Sequence, residues 1–89
     1  MRLITKEKYE RLSFAHSQIM SFYYAACCAD GDEEAWGSAY DAIFGEGYCR
    51  IVRECVPSFD WYDPDASYQD DVCAFVWALE ELMDNIKVI

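Results

Sequence analysis

Apolar side chains recur every three or four residues along three segments of the chain, which is the spacing of one face of an α-helix. The first stripe contains Tyr9, Leu12, His16, Ile19, Tyr23 and Ala26. Thr5 can cap a helix at its N-terminus, and Asp30 with Gly31 supplies turn chemistry at the other end. The pattern therefore predicts a first helix that starts at Thr5 and runs to about Cys28 or Ala29.

The second stripe follows Asp32, which is also a good N-cap residue. Its members are Trp36, Tyr40, Ile43, Tyr48, Ile51 and Cys55. Gly45 and Gly47 lie inside it, and each costs up to about 1 kcal/mol relative to Ala in a helix. Because the apolar phase continues across the glycines, the sequence favours one kinked helix that ends before Pro57.

The third stripe runs almost to the end of the chain. It contains Tyr68, Val72, Phe75, Val76, Leu79, Leu82, Met83 and Ile86. Asp63 followed by Pro64 is typical of a helix start, and Ser67 is the alternative start. No segment shows the strict alternation of a strand. The sequence thus predicts one all-α domain over residues 1–89, a small antiparallel bundle of three helices, or of four if the glycines break the second.

Composition limits the classes of partner. Of the 89 residues, 54% are hydrophobic, which is enough for one folded core. Seventeen acids against seven bases give a net charge of -10, so direct binding to nucleic acid or to an anionic membrane is unfavourable. No apolar run approaches the ~18 to 20 residues of a membrane span, and the N-terminus turns polar at once. We therefore expect a cytoplasmic protein with a basic protein partner.

Candidate catalytic and metal-binding chemistry is sparse. Five cysteines are an odd number without zinc-site spacing, so we expect free thiols and no metal or cofactor. The chain has no nucleophile elbow, phosphate loop or H-E-x-x-H motif. His16 and the pair Cys27 and Cys28 would stand roughly 17 Å apart on one helix at ~1.5 Å per residue. The sequence predicts no enzyme, and His16 is expected to be a hydrogen-bonded histidine at the core or its edge.

Charge is distributed unevenly along the chain. Residues 1–11 carry four bases and two acids, whereas residues 54–86 carry nine acids and no base. Such a segment lacks the ion pairs that surface helices normally form, and repulsion between its carboxylates destabilises the fold. Two interpretations stay open, a functional acidic surface and mere overall acidity.

Within the acidic segment, the loop 59–63 interleaves three aromatic residues with two acids. Aromatic anchors ringed by charge are typical of binding hot spots, and acids steer a basic partner. The predicted partner-binding residues are Phe59, Asp60, Trp61, Tyr62, Asp63, Asp65, Asp70 and Asp71. The alternative is that Phe59 and Trp61 fold back onto the bundle and leave Tyr62 outside.

One part of the acidic segment resembles a known protein family. It consists of the run Asp60-Trp61-Tyr62-Asp63-Pro64-Asp65, then Tyr68-Gln69-Asp70-Asp71, and then an apolar helix from Val72. Over residues 60–83 it is similar to the acidic turn and last helix of immunity proteins of the colicin D and contact-dependent-inhibition type. The resemblance implies a small acidic helical protein that covers the basic RNA-binding cleft of a toxin nuclease. Phage-encoded inhibitors, including anti-CRISPR proteins, share the size and acidity without a common motif.

The sequence therefore predicts a small acidic inhibitor, a nucleic-acid mimic that covers the cleft of a basic toxin nuclease or nucleic-acid-binding effector. The alternative is a structural or assembly protein that forms a helical homo-oligomer. In that case the apolar residues on several helix faces would form the contact, namely Phe14, Phe22, Tyr24 and Trp77.

Overall fold

The computed structural model describes residues 2–29, 32–61 and 67–89 of the chain. About 75% of the described chain is helical, so the prediction of a mainly helical protein is confirmed. The elements in chain order are β1 (Arg2–Ile4), α1 (Lys6–Cys28), α2 (Glu33–Tyr40), a π-helical turn (Asp41–Gly45), α3 (Tyr48–Cys55), α4 (Tyr68–Asp84) and β2 (Ile86–Val88).

Side-chain caps set the starts of three helices. Thr5 Oγ1 accepts a hydrogen bond from the Lys8 amide at 3.3 Å, and α1 ends at Cys28 as predicted. Asp32 Oδ1 accepts from the Glu34 amide at 2.9 Å. Ser67, the alternative start, caps α4 by accepting from the Asp70 amide at 3.1 Å. The pair Asp63 and Pro64 lies outside the described residues.

The second predicted helix is divided at its glycines. The backbone widens into a π-helical turn over Asp41–Gly45, and Gly47 then takes a φ of +103°, in the left-handed region that glycine tolerates best. A residue in that conformation cannot continue a right-handed helix. α2 and α3 are therefore separate helices, which is the alternative with a break at the glycines and not the favoured single kinked helix.

A short parallel sheet joins the two ends of the described chain. β1 pairs with β2 in the register Arg2 to Ile86, Leu3 to Lys87 and Ile4 to Val88. The expectation that the fold contains no strand is wrong in this respect. Strands of three residues are too short to show alternation, and their pairing depends on tertiary contacts that no local pattern reports.

Side-chain contacts give the directions of the helices. His16 meets Glu80, and the Tyr23 hydroxyl lies beside Trp77, so α1 and α4 run in opposite directions. Tyr40 meets Tyr68 with ring centroids 4.9 Å apart, so the end of α2 lies against the start of α4. The antiparallel arrangement that the sequence predicts is therefore seen between α1 and α4.

The core lies between these helices. Its largest fully buried side chains are Phe75, Leu12, Ile19, Ile43, Leu79, Val52, Val72 and Val76. Three aromatic rings surround Phe75, and together the four form the Phe75 cluster. They belong to Phe44, Phe59, Trp61 and Phe75 itself. Because Phe59 and Trp61 belong to this cluster, it determines how far these two residues of the predicted loop site are exposed.

Candidate partner-binding surface

Two aromatic residues of the predicted loop site, Phe59 and Trp61, point toward the core. Phe59 is 7% exposed, and its ring meets Phe75 edge-on at 5.8 Å. Trp61 is half-buried, with its ring edge-on to Phe75 at 4.9 Å and the Arg53 guanidinium 4.6 Å from its ring centroid. The placement of Phe59 as an exposed contact residue is therefore corrected, because burying its ring in the Phe75 cluster removes it from the surface.

The predicted acids divide between surface and interior. Asp60 is exposed, and its Oδ1 accepts a hydrogen bond from the Trp61 amide at 2.9 Å. Asp70 is exposed, but Asp71 is only 8% exposed. Asp71 stands four residues before Phe75, on the face of α4 that packs into the core, so its placement on an open surface is corrected. Tyr62, Asp63 and Asp65 lie outside the described residues.

Among the described residues of the acidic segment, the exposed aromatic residues are Trp77 and Tyr68, and Trp77 is the more exposed of the two. The buried stripe of α4 turns Trp77 outward, where its side chain is 66% exposed. Spacings of seven, four and three residues place Asp70, Trp77, Glu81 and Asp84 along one side of the helix, which we name the Trp77 face. Sequence reasoning did not include Trp77 in the site, although its absence from the apolar stripe of α4 indicated exposure.

The electrostatics of the Trp77 face are unfavourable for the helix that carries it. α4 contains no Lys or Arg. Glu81 and Asp84 lie near its C-terminus, where the helix dipole disfavours negative charge by typically ~0.3 to 1 kcal/mol each. These acids therefore do not serve the stability of α4, and they project a negative field around Trp77.

Neighbouring residues of α1 extend this surface. Tyr24 is 59% exposed, and its ring lies 5.7 Å from that of Tyr23, which is beside Trp77. His16 Nε2 and Glu80 Oε1 are 2.6 Å apart at the half-buried seam between α1 and α4. The prediction of a hydrogen-bonded histidine at the edge of the core is confirmed.

The cysteines fall into two groups. Cys27 and Cys28, the exposed cysteines, lie at the end of α1. Burial raises the pKa of the thiols of the shielded cysteines, which are Cys49, Cys55 and Cys73. Among the described residues, no three His, Cys, Asp or Glu side chains converge where they could hold a metal ion.

Comparison with protein-family models, curated proteins and solved structures found no match. In the described ranges, no helix is long and apolar enough to cross a membrane. The functional interpretation of the Trp77 face therefore depends on the residues of this chain.

Proposed function

We propose that this protein is a cytoplasmic acidic inhibitor that covers the cleft of a basic, nucleic-acid-handling partner, in the manner of an immunity protein or a phage-encoded inhibitor. The observation that carries the proposal is the 66% exposure of Trp77 among acids on a helix without any base. The proposal moves the aromatic anchor from the loop to α4 and keeps the acidic segment as the source of charge.

A large exposed Trp is the residue type that most often anchors a protein interface. The surrounding carboxylates would accelerate encounter with a basic surface and exclude acidic partners. Asp70 and Asp84 are fourteen residues apart, so they span about 21 Å along α4 at ~1.5 Å per residue. That length corresponds to roughly six phosphates of one DNA strand at ~3.4 Å each, which suits a surface that replaces nucleic acid.

The proposal can be tested by quantitative capture from the native host with the tagged protein. We expect a basic nucleic-acid-binding protein to be captured, and added nucleic acid to displace it. Trp77→Ala should reduce the affinity of that partner about thirtyfold, since loss of a hot-spot aromatic costs ~2 kcal/mol or more. Phe14→Ala, another exposed aromatic at 57%, is the matched control and should capture normally. Equal capture by both variants, or capture that nucleic acid does not reverse, would contradict the proposal.

The contribution of charge can be measured separately once the partner is identified. Neutralising Asp70, Glu81 and Asp84 to Asn, Gln and Asn should mainly slow association. For the unaltered protein, the association rate should fall as salt shortens the Debye length from ~10 Å at 0.1 M to ~3 Å at 1 M. A rate that is constant across that range would remove electrostatic steering from the proposal.

A second candidate function is assembly into a homo-oligomer, favoured by an exposed aromatic residue, Phe14, on another side of α1. Phe14 borders an open cleft of about 320 Å³ that Arg11 and Ile51 also line. Phe22, also expected in such a contact, is half-buried with its ring 6.5 Å from that of Tyr48. Light scattering across a concentration series would show a concentration-dependent mass, abolished by Phe14→Glu, if this candidate is right.

A further inference from the structure

The two-stranded sheet has an open edge. Among the described residues it contains only β1 and β2. The Arg2 amide donates to the Asn85 carbonyl at 2.8 Å, and the Ile4 carbonyl accepts from the Ile89 amide at 3.0 Å. Alternate residues of a strand direct their backbone groups to opposite edges, so the Leu3 amide and carbonyl point away from β2. An edge of this kind is a template for pairing with another strand.

A cleft of about 360 Å³ lies beside that edge. All three residues of β1 line it, whereas β2 contributes only Ile86, so the cleft is on the β1 side of the sheet. The remaining lining comes from Lys8 and residues 55–58. Arg2 donates a hydrogen bond to the Ser58 hydroxyl across the cleft. The cleft thus combines two cationic side chains and a hydroxyl with apolar walls.

Positive charge is concentrated at this end of a strongly acidic protein. Lys6 and Lys8 occupy the first turn of α1, where the helix dipole disfavours cations. Arg11, by contrast, is paired with Glu54 at 2.8 Å. Lys8 therefore does not stabilise α1, and together with Arg2 it makes the cleft favourable for a ligand with negative charge.

We propose that the outer edge of β1 accepts an extended acidic segment of a partner protein as a third strand. The segment would hydrogen-bond to the Leu3 backbone, the mode of recognition in which main-chain bonds give affinity and side-chain contacts give specificity. Its carboxylates would lie beside Arg2 and Lys8. This site does not depend on the Trp77 face, and its ligand has the opposite charge.

The probe for the test is a fluorescein-labelled peptide of alternating Val and Glu, titrated with the full-length protein and followed by anisotropy. Two matched peptides serve as controls, one with Lys in place of Glu and one with the acidic sequence N-methylated on every residue, so that neither edge keeps an N–H donor. We expect only the unmethylated acidic peptide to bind, more weakly at high salt. Its binding should slow hydrogen exchange at the Leu3 amide.

Two double variants test which cationic side chains contact the acidic peptide. Arg2→Gln with Lys8→Gln should weaken peptide binding about tenfold, the effect of two partly exposed ion pairs. The matched control, Lys6→Gln with Lys87→Gln, removes the same charge from side chains that do not line the cleft and should change affinity less than about twofold. Circular dichroism of both variants checks that the fold is retained.

Three outcomes would overturn the proposal. Equal binding of the N-methylated peptide would exclude strand addition. If the two double variants weakened peptide binding equally, the effect would come from the overall charge of the protein and not from contacts of Arg2 and Lys8 with the peptide. Binding of labelled protein to unlabelled protein with the same dependence on Arg2 and Lys8 would assign the edge to a second copy of the chain instead.

Discussion

Replacing Trp61 with Ala should lower the free energy of unfolding by about 2 to 3 kcal/mol, whereas Trp77→Ala should change it by less than about 0.5 kcal/mol. Truncating a fully buried Trp costs ~3 to 5 kcal/mol, and Trp61 is half-buried, which scales the loss to about 2. Its edge-on contact with Phe75 at 4.9 Å and the Arg53 guanidinium over its ring add a fraction of the ~0.5 to 1.5 kcal/mol typical of each.

The two Trp variants form a matched pair that separates packing from binding. Urea unfolding followed by circular dichroism avoids reliance on Trp fluorescence, and thermal melts should show a drop of roughly 10 to 20 °C for Trp61→Ala alone. Partner affinity should show the reverse order, with the large loss at Trp77. If Trp61→Ala melted like the unaltered protein but lost partner binding, both the packing of Trp61 and the proposed anchor would be refuted.

Three further predictions concern the backbone and the thiols. Gly47→Ala should destabilise the protein by about 1 to 2 kcal/mol because of its φ of +103°, whereas Gly45→Ala, with open space around its Cβ position, should be neutral or stabilising; a urea melt in which both behave alike would count against this. In denaturant without reductant, alkylation should label five thiols. In the native protein, only the exposed cysteines should be labelled quickly. Rapid labelling of all five in the native protein would contradict the burial of the shielded cysteines. Burial raises the pKa of the shielded cysteines above the ordinary 9.0. The stability that these buried thiols contribute should therefore be complete below that pH and be lost as the pH rises through their folded-state pKa values. A urea unfolding midpoint that does not fall between about pH 8 and 10 would contradict this prediction.

The starts of the helices could be predicted from the sequence because capping is local chemistry. Thr5 and Asp32 cap the helices predicted for them, and Ser67 caps α4 as the alternative start. The sequence offers a break at Gly45 and Gly47 as the alternative but favours a kink, because the apolar phase of the stripe continues across both glycines. That phase reports which side chains face the core, and two helices joined by a π-helical turn can keep the same face without sharing an axis.

The candidate site was predicted less well, for a physical reason. Aromatic residues next to acids are compatible both with an exposed hot spot and with rings that cap the core. Only the positions of Phe75 and Phe44 decide between these for Phe59 and Trp61, and those positions depend on tertiary packing. Trp77 was accessible to sequence reasoning, because its offset from the stripe of α4 fixes its direction once the helix is accepted.

The parallel pairing of β1 with β2 has a mechanical consequence. Since both strands run the same way, tension applied through the residue before Arg2 and the residue after Val88 would pull the strands along their length in opposite directions. The ladder hydrogen bonds would then be loaded together in shear, and none could open ahead of its neighbours as in a zipper. The sheet would act as a clamp that resists extension of the chain until all of its bonds fail at once, which leaves the helices behind it shielded from the force.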